Sequence, residues 1–559
     1  MKIGIPERRT LLGDLGGGLT VAMVSIPEGM AYALIAGVNP IYGLYAGMLT
    51  VIVGSLFNSS KLTIITLTNA IALIVVDNLG LLGDDIAVGI ATLTLFIGVL
   101  QFIFGILQLG KLINFISFEV MTGFIAAVAT IIIFGQIEEL VGYQGQIDVG
   151  EHISRRIIEG VTILLTPWHW DAGTAAVGIL TIAMLLFIKR TKLEKFADFL
   201  VIGIITVIVA VLRFESVLIV QDISEIPNQL PTLVAPDLTL IPGLAPAAIA
   251  IAIVALVESA GISMAFPNPD KSKADMSRNF TAHGLANIAG CVIAALPGGG
   301  SMSRTAVNAD AGTLTRFGGI FAGAIVIMAV GLFGPVFEYI PMAALSGLLI
   351  FIGVGILLKQ IPKMKEAWHT SKAYSVSIIA TYVIAIGHSL EVGVFVGILL
   401  SIVLYVYFSA RDVQLVILEP MGDNHFRIRP VPKEFPSNEV TIIQQQGARY
   451  FAAVHTQEEM MPSMEHTDHA VIIFSIYGAS LMSSNMVEMI KSMHQEISEN
   501  GNRLIIANVE DPIMQQLEHT GLLDLLGREN VFPARDILGA SLEEALEAAN
   551  TSLGRNQDS

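Results

Sequence analysis

The amino-acid sequence predicts a polytopic α-helical membrane protein that ends in a small α/β domain, and three observations predict it. Of the 559 residues, 53% are hydrophobic and only 14% are charged, whereas soluble domains carry roughly 25% charged residues. Long apolar runs follow one another from residue 16 to residue 408. The net charge of −17 is concentrated in the last part of the chain, because 21 acidic and 9 basic residues lie from Gln414 onward.

The composition also excludes several classes of protein. An acidic balance argues against nucleic-acid binding, which requires basic surface. The single cysteine, Cys291, excludes an intramolecular disulfide and a cysteine-rich metal site. No P-loop is present, and the six histidines after Gln414 lack metal-ligand spacing, so we expect no cofactor and no metal. The first apolar run is too long for a signal peptide, and we interpret it as a retained first helix.

The apolar runs give about 14 transmembrane segments, several of them near the ~20 residues that a spanning helix needs. An even number leaves both termini on one side of the membrane. The segments are 16–36, 40–57, 63–77, 86–109, 113–137, 174–189, 199–213, 244–265, 278–295, 303–312, 318–337, 341–357, 372–387 and 389–408.

Basic residues orient these segments. Most of them precede the first segment or follow an even-numbered one, as Lys61, Lys111 and the KRTKLEK run from Lys189 do. Arg155, Arg156 and Arg213 are the exceptions. The positive-inside rule therefore places both termini in the cytoplasm, as in a multi-pass protein of the cell (inner) membrane.

Two of the segments, 63–77 and 303–312, are short and occupy matching positions, third in the first seven and third in the second seven. Both begin with hydroxyl and turn residues, TIITLTN at 63–69 and PGGGSMSRT at 297–305. Paired interrupted helices at matching positions indicate a transporter site, and an odd number of spans in each half makes the repeats inverted. The alternative is that both are ordinary short or tilted helices.

The pattern changes after Arg411. VQLVILE and NHFRIRPV alternate as strands do, and HAVIIFSIYG and RLIIANV are typical of buried strands. Helices are expected over 483–501, PIMQQLEHTGLL and SLEEALEAAN. The last of these begins with a Ser-x-x-Glu capping box. The predicted domains are a transmembrane domain over 1–410, a connecting segment with a first strand over 411–440, and an α/β domain over 441–559.

Three stretches resemble the sulfate permease (SulP) family of anion transporters, which is related to prestin and pendrin. Gly13 to Ala46, GDLGGGLTVAMVSIPEGMAYALIAGVNPIYGLYA, resembles the family signature. Ala255 to Phe266, ALVESAGISMAF, is similar to its eighth-helix motif, and His283 to Gly319 to its ninth and tenth helices. The C-terminal region resembles a STAS domain, the usual cytoplasmic appendage of the family.

This resemblance implies seven-plus-seven inverted repeats divided into a core and a gate domain, with the third and tenth helices meeting N-terminus to N-terminus around the anion. Two helix N-termini supply unpaired N–H groups and positive dipole ends. The third segment departs from the family's Ser-x-Gly-Pro pattern, and the glycines at 298–300 are expected to let backbone approach the ligand. The implied substrate-binding residues are Ser25, Tyr32, Thr66, Thr68, Asn69, Ser301, Ser303 and Arg304.

Glu28 lies inside the first apolar run, on the helical face that also carries Ser25 and Tyr32. An intramembrane carboxylate is costly and usually marks a pathway, so we expect Glu28 to couple a proton to anion entry; a structural pairing is the alternative. Glu258 has either a coupling or a structural role. Sodium coupling is disfavoured, because sodium-coupled relatives carry an additional acid where this chain has Ile262.

The resemblance implies a secondary transporter of a small anion, a homodimer that works by alternating access. We expect sulfate or a similar oxyanion with a proton, and bicarbonate or a dicarboxylate are the alternatives. The rival classes are an uncoupled anion channel or exchanger and an enzyme or receptor built on the STAS domain. Residues 482–486, Met-Ser-Ser-Asn-Met, lack the Asp and Gly of the STAS phosphorylation motif, so we expect a structural or dimer-regulating domain.

Overall fold

The computed structural model describes residues 7–110, 117–146, 154–214, 216–223, 231–422, 425–447, 451–478, 481–499 and 501–554. The chain forms two compact units that divide between Ser401 and Ile402, inside a long helix. The predicted boundary at residue 410 lies nine residues farther along that helix and stays a prediction. Each unit has hydrophobic cores of its own.

The first unit is helical, apart from two three-residue strands, β1 (Ile64–Thr66) and β2 (Gly299–Ser301). Its helices are α1 (Arg8–Ile35), α2 (Pro40–Ala46), α3 (Leu49–Phe57), α4 (Asn69–Asp77), α5 (Ile86–Ile106), α6 (Phe118–Gly135), α7 (Ile137–Val141), α8 (Ser154–Leu165), α9 (Ala172–Ile188), α10 (Ala197–Leu212), α11 (Val220–Ile223), α12 (Ile241–Ala265), α13 (Met276–Cys291), α14 (Met302–Asp310), α15 (Phe317–Phe337), α16 (Met342–Thr370), α17 (Lys372–Gly387) and α18 (Leu390–Arg411).

These helices confirm the predicted polytopic α-helical fold. Among the described residues, eight helical segments are long and apolar enough to cross a membrane, and α9, α10 and α17 are shorter apolar helices. The remaining predicted segments coincide with α13 and with the two short helices α4 and α14. Sequence reasoning missed α8, and it ended α16 thirteen residues early because that helix continues into a polar stretch.

The two short segments each consist of a strand followed by a half-helix. β1 pairs with β2 in antiparallel register, with Ile64 opposite Ser301 and Thr66 opposite Gly299. We refer to this pair as the ribbon. Because the strands are antiparallel, α4 and α14 begin at opposite ends of the ribbon and run away from it in opposite directions. This opposed arrangement is what inverted repeats require.

The second unit is an α/β domain with a six-stranded sheet in the order β4-β3-β5-β6-β7-β8. β3 is antiparallel to β4 and β5, and β5 to β8 are parallel. The strands are β3 (Gln414–Gly422), β4 (His425–Pro430), β5 (Val440–Gln446), β6 (Val471–Ser475), β7 (Arg503–Val509) and β8 (Val531–Pro533), and the helices are α19 (Phe451–Glu459), α20 (Ser484–Glu499), α21 (Asp511–His519), α22 (Leu522–Leu526) and α23 (Ala540–Ser552).

The predicted capping box of the last helix is wrong. α23 begins at Ala540, one residue before Ser541, and Gly539 precedes it in a left-handed conformation. The Ser541 hydroxyl instead accepts the backbone N–H of Asn508 at 2.9 Å, and Glu544 pairs with Arg535. Ser541 therefore ties the helix to the end of β7, a tertiary contact that outweighs the local signal.

Close contact between α1 and α2 fixes the first helix next to the ribbon. A Cβ atom added at Gly43 would lie 1.9 Å from the carbonyl oxygen of Gly29, so the two backbones touch. Small residues allow this approach between membrane helices. The glycine after Glu28 is thus a packing requirement of the first helix.

We predict that Gly43→Ala lowers the melting temperature of the purified protein by several degrees, because the added methyl group must push α1 and α2 apart. Gly331→Ala is the matched control: Gly331 lies inside α15 with open space around it, and alanine favours a helix by about 1 kcal/mol over glycine. Thermal unfolding in detergent checks both variants. Equal melting temperatures for the two would contradict the described contact.

Candidate functional site

The two half-helices begin with capping hydroxyl groups at the ends of the ribbon. Thr68 precedes α4 and accepts the N–H of Ile71 at 3.4 Å. Ser301 precedes α14 and accepts the N–H of Arg304 at 3.4 Å. A side-chain cap satisfies one of the four unpaired N–H groups of a helix N-terminus, and in α4 the Asn69 side chain accepts a second one, from Ala70.

Two of the three glycines at 298–300 are required by the packing of α12 against the ribbon. A Cβ atom at Gly300 would lie 2.9 Å from the Cα atom of Ser259, and one at Gly299 would lie 3.1 Å from the Cβ atom of Ala255. Both neighbours belong to α12, which crosses directly over the ribbon backbone. Gly299 and Gly300 therefore make room for α12, whereas Gly298 lies against Thr50 and Thr66. The expected approach of these glycines to the ligand stays a prediction.

Arg304 is the cation of the site and is fully buried. Its Nη1 donates to the Thr66 hydroxyl at 2.9 Å and to the Leu67 carbonyl at 3.1 Å. Its guanidinium carbon lies 5.6 Å from the ring centroid of Tyr32. Arg304 therefore reaches from α14 across the ribbon to the beginning of α4 and joins the two half-helices.

Part of the Arg304 guanidinium group has no described hydrogen-bond partner. Nη2 of Arg304 has no hydrogen-bond partner among the residues that the structure describes. Nε lies 3.3 Å from Oε2 of Glu28, which makes an ion pair without the alignment of a hydrogen bond. A buried donor without a partner is rare and costly in native proteins, so these N–H groups indicate a ligand position.

Glu28 completes this half of the site from α1. It is 2% exposed, and its Oε2 accepts the Ser303 hydroxyl at 3.2 Å. Ser303 itself is exposed, so the carboxylate forms the wall of a space that water reaches. Ser25 and Tyr32 lie on the same helix and are buried, as their spacing predicted.

The other half of the site repeats this arrangement with a carboxylate from α12. The Thr68 hydroxyl donates to Oε2 of Glu258 at 3.1 Å, just as Ser303 donates to Glu28. Each half-helix thus begins against a carboxylate from a helix of the other repeat. Arg304 pairs with Glu28, whereas the described partner of Glu258 is Thr68.

Two of the candidate residues on the third segment, Thr66 and Asn69, already form hydrogen bonds within the protein through their side chains. The Thr66 hydroxyl accepts from Arg304 and donates to the Ala46 carbonyl at 3.0 Å, which uses its only proton. The Asn69 carbonyl oxygen accepts the N–H of Ala70 at 2.9 Å. Thr66 therefore orients the arginine, while the amide group of Asn69 retains its two donors.

Sequence reasoning missed the side chains that hold the ribbon from outside. The Thr305 hydroxyl accepts the N–H of Ile64 at 3.1 Å, and Asn287 makes two hydrogen bonds to the backbone of Gly298. For Asn287, the available signal was a polar residue inside the apolar run 278–295.

An ion pair between Lys61 and Asp270 lies outside the membrane-spanning helices, next to the chain that leads into β1. The Lys61 ammonium group, which hydrogen-bonds Asp270, lowers the pKa of that carboxyl group to about 2. Its contribution to stability is therefore present above the ordinary pKa of aspartate and is lost only as the pH falls toward 2. Asp270 therefore does not change its charge near neutral pH, and a pH response in that range must arise elsewhere.

In the second unit, the loop that corresponds to the STAS phosphorylation motif contributes Ser483 to the start of a helix. Ser483 accepts the N–H of Met486 at 3.3 Å at the start of α20. No group of three or more His, Cys, Asp or Glu side chains in the described part of the chain is arranged to hold a metal ion. A structural or dimer-regulating role of this domain stays a prediction.

Comparisons with known proteins place this chain in a family of transporters. A model of the Sulfate permease family matches residues 11–381, and a STAS domain model matches residues 434–536. Sulfate transporter 4.1, chloroplastic, of Arabidopsis thaliana is 28% identical over 93% of this chain and 78% of its own. Putative sulfate transporter YvdB of Bacillus subtilis is 26% identical over 94% and 96%, respectively. These relatives are transporters and not enzymes.

Solved structures share the fold. The structure of SLC26A9 superimposes with a TM-score of 0.84 at 18% identity and covers 98% of this chain and 91% of that one. The transmembrane domain of the cyanobacterial bicarbonate transporter BicA matches with a TM-score of 0.57 at 19% identity, over 71% of this chain and 98% of that one. At these identities the likeness is one of fold alone.

We predict that Arg304→Lys raises the KM for anion uptake about tenfold or more, which corresponds to ~1.4 kcal/mol. A lysine keeps the charge but cannot donate to Thr66, to Leu67 and to a ligand through one planar fork. Uptake measured against anion concentration checks this.

Arg316→Lys is the matched control, because Arg316 is half-buried at the start of α15 and its Nη1 donates to the Leu56 carbonyl away from the site. Similar KM values for the two variants would show that Arg304 acts only through its charge or only in folding.

Proposed function

Since the chain belongs to the sulfate permease family, we propose that it is a secondary active transporter that carries a small oxyanion, sulfate foremost, together with a proton. The observation that carries the proposal is the shared position of Glu28: its carboxylate lies against the two groups, Ser303 and Arg304, that would bind the substrate anion. The anion and the ionised Glu28 therefore compete.

The donors at the site suit a small oxyanion. Nη2 of Arg304, the hydroxyl groups of Ser301 and Ser303, and the N-termini of the two half-helices offer hydrogen-bond donors from both halves of the site. A tetrahedral oxyanion offers oxygens in several directions, so it can accept from both half-helices at once. The relatives named as sulfate transporters support sulfate as the first choice.

Proton coupling follows from the charges. While Glu28 is ionised, it neutralises Arg304, and a second anion at the site would be repelled. Protonation of Glu28 removes that repulsion and leaves the guanidinium group to the substrate. The anion then binds with its proton, and both are released when the site opens on the other side. This linkage is a symport.

The movement and the assembly belong to the same proposal. We infer that a core domain, which contains the ribbon and both half-helices, moves against a gate domain in alternating access. We also infer a homodimer in the cell (inner) membrane, with both termini and the STAS domain in the cytoplasm. The basic loop residues on the side of the N-terminus support this orientation.

Other anions and another cation are the alternatives. Bicarbonate and dicarboxylates present carboxylate oxygens that the same donors could bind, and the fold likeness to a bicarbonate transporter makes bicarbonate the first of them to test. Sodium coupling is disfavoured, because Ile262 is buried against the ribbon where a further acid would be needed. An uncoupled channel or exchanger would not need the Glu28 carboxylate beside Arg304.

The test is uptake of labelled sulfate, bicarbonate and fumarate into proteoliposomes, with and without a pH gradient that is acidic outside. A gradient of about one pH unit drives up to ~10-fold accumulation for each coupled proton. A symporter gives saturable uptake that follows the pH gradient, whereas flux that follows voltage alone identifies a channel. Uptake that requires sodium and ignores the pH gradient would replace the proton with sodium.

We predict that Glu28→Gln abolishes the stimulation of uptake by the pH gradient but retains anion binding, because a neutral amide leaves Arg304 permanently available. Glu258→Gln is the matched control, a carboxylate that is hydrogen-bonded in the same way at the other half-helix but has no described contact with Arg304. We expect it to keep the pH response. If Glu28→Gln keeps it instead, Glu28 does not carry the proton.

A further inference from the structure

Helices α5 and α13 touch through their backbones beside the ribbon. A Cβ atom added at Gly284 would lie 2.5 Å from the backbone nitrogen of Phe102, and one at Gly98 would lie 2.8 Å from that of Ile288. Neither helix could slide or separate without losing this contact. The pair therefore forms a rigid frame, and it brings a polar residue of each helix together.

Those two residues are Gln101 of α5 and Asn287 of α13, and both are fully buried. Nδ2 of Asn287 donates to Oε1 of Gln101 at 2.8 Å and to the Gly298 carbonyl at 3.0 Å. Its Oδ1 accepts the N–H of Gly298 at 2.7 Å. One side chain thus binds both backbone groups of a single residue, as a neighbouring strand would.

The frame holds the same loop at a second point. The Thr94 hydroxyl of α5 donates to the Ala295 carbonyl at 2.9 Å. Ala294 has a left-handed backbone with a φ of 50°, which is unusual for a residue with a side chain. Three hydrogen bonds to the frame, two through Asn287 and one through Thr94, therefore fix a tight loop immediately before the ribbon.

The position of that loop sets the position of the anion donors. Gly298 directly precedes β2, and three residues later Ser301 caps α14, which carries Ser303 and Arg304. Asn287 contacts none of these side chains through a hydrogen bond described in the structure. Its effect on them must pass through the backbone of Gly298 and β2.

We propose that Asn287 is a positioning residue for anion binding, which anchors the start of half-helix α14 to the α5–α13 frame. This inference deepens the proposed function and rests on it. Loss of the anchor lets the first turn of α14 move, and displacements well below an ångström weaken directed hydrogen bonds. Anion affinity and the preference between tetrahedral and planar anions depend on that placement.

The chain offers a matched control on the same helix. Asn279 of α13 is as buried as Asn287, but its side chain binds Ser59, Ser60 and Ser263. Asn279→Ala and Asn287→Ala each remove a fully buried, multiply bonded amide group. A purely structural role predicts the same outcome for both variants, whereas the anchoring role predicts a change in anion binding for one.

The experiment measures the equilibrium binding of labelled sulfate and labelled bicarbonate to purified full-length protein, together with its melting temperature. We expect both variants to lose thermal stability, Asn287→Ala to raise the sulfate Kd about tenfold and change the sulfate-to-bicarbonate ratio, and Asn279→Ala to keep its Kd within about twofold of the wild type. Equal Kd changes in the two variants, or an unchanged Kd in Asn287→Ala, would overturn the proposal.

Two further measurements distinguish failure of the anchoring role from a folding defect and from failure of the proposed function. If Asn287→Ala does not fold, Thr94→Val removes only the second anchor and is expected to raise the sulfate Kd about threefold; an unchanged Kd would overturn the proposal. If the wild-type protein binds neither anion, the proposed function fails, and the anchoring role fails with it. Binding without pH-driven uptake rejects proton coupling alone and leaves the test of Asn287 intact.

Discussion

The site depends on how two interrupted helices can begin inside a membrane protein. Each interruption exposes backbone N–H and C=O groups that have no water to bind in a bilayer core. Here the antiparallel ribbon pairs these groups with one another over Ile64 to Thr66 and Gly299 to Ser301. The same pairing fixes the two helix N-termini at its opposite ends. The need to hydrogen-bond the backbone groups of these six residues therefore also positions the two helix N-termini of the candidate anion site.

The buried ion pair of Glu28 and Arg304 is weak evidence for a net gain in folding stability. Two charges removed from water lose several kcal/mol of solvation each, and their attraction regains this only with good geometry. The geometry here is poor, because the contact at 3.3 Å is not aligned as a hydrogen bond and Nη2 is left without a described partner. Such a costly arrangement of charges and donors is consistent with groups held in place for a substrate.

Much of this arrangement could be predicted from the sequence. Hydropathy gave the membrane segments, two short segments at matching positions indicated the ribbon region, and a carboxylate within the first helix marked the site. These signals are local, since each depends on residues that are neighbours along the chain.

The rest depends on tertiary contacts that have no local pattern. The sequence predicts Thr66 as a ligand-binding hydroxyl, whereas in the structure this hydroxyl donates its hydrogen bond to the Ala46 carbonyl. Gly299 and Gly300 looked like ligand contacts, and their space is filled by α12. The buried contact between Asn287 and Gln101 could not be predicted, because the two residues lie 186 positions apart in the chain.

The central claim is that the anion and the ionised Glu28 exclude one another. The most direct measurement is the uptake of protons when sulfate is added to the purified protein in a weakly buffered solution with a pH indicator. The account predicts that the wild-type protein takes up as much as about one proton for each bound anion near the pH at which Glu28 titrates, and that the Glu28→Gln variant binds sulfate without taking up protons. Sulfate binding by the wild-type protein with no proton uptake at any pH would contradict it.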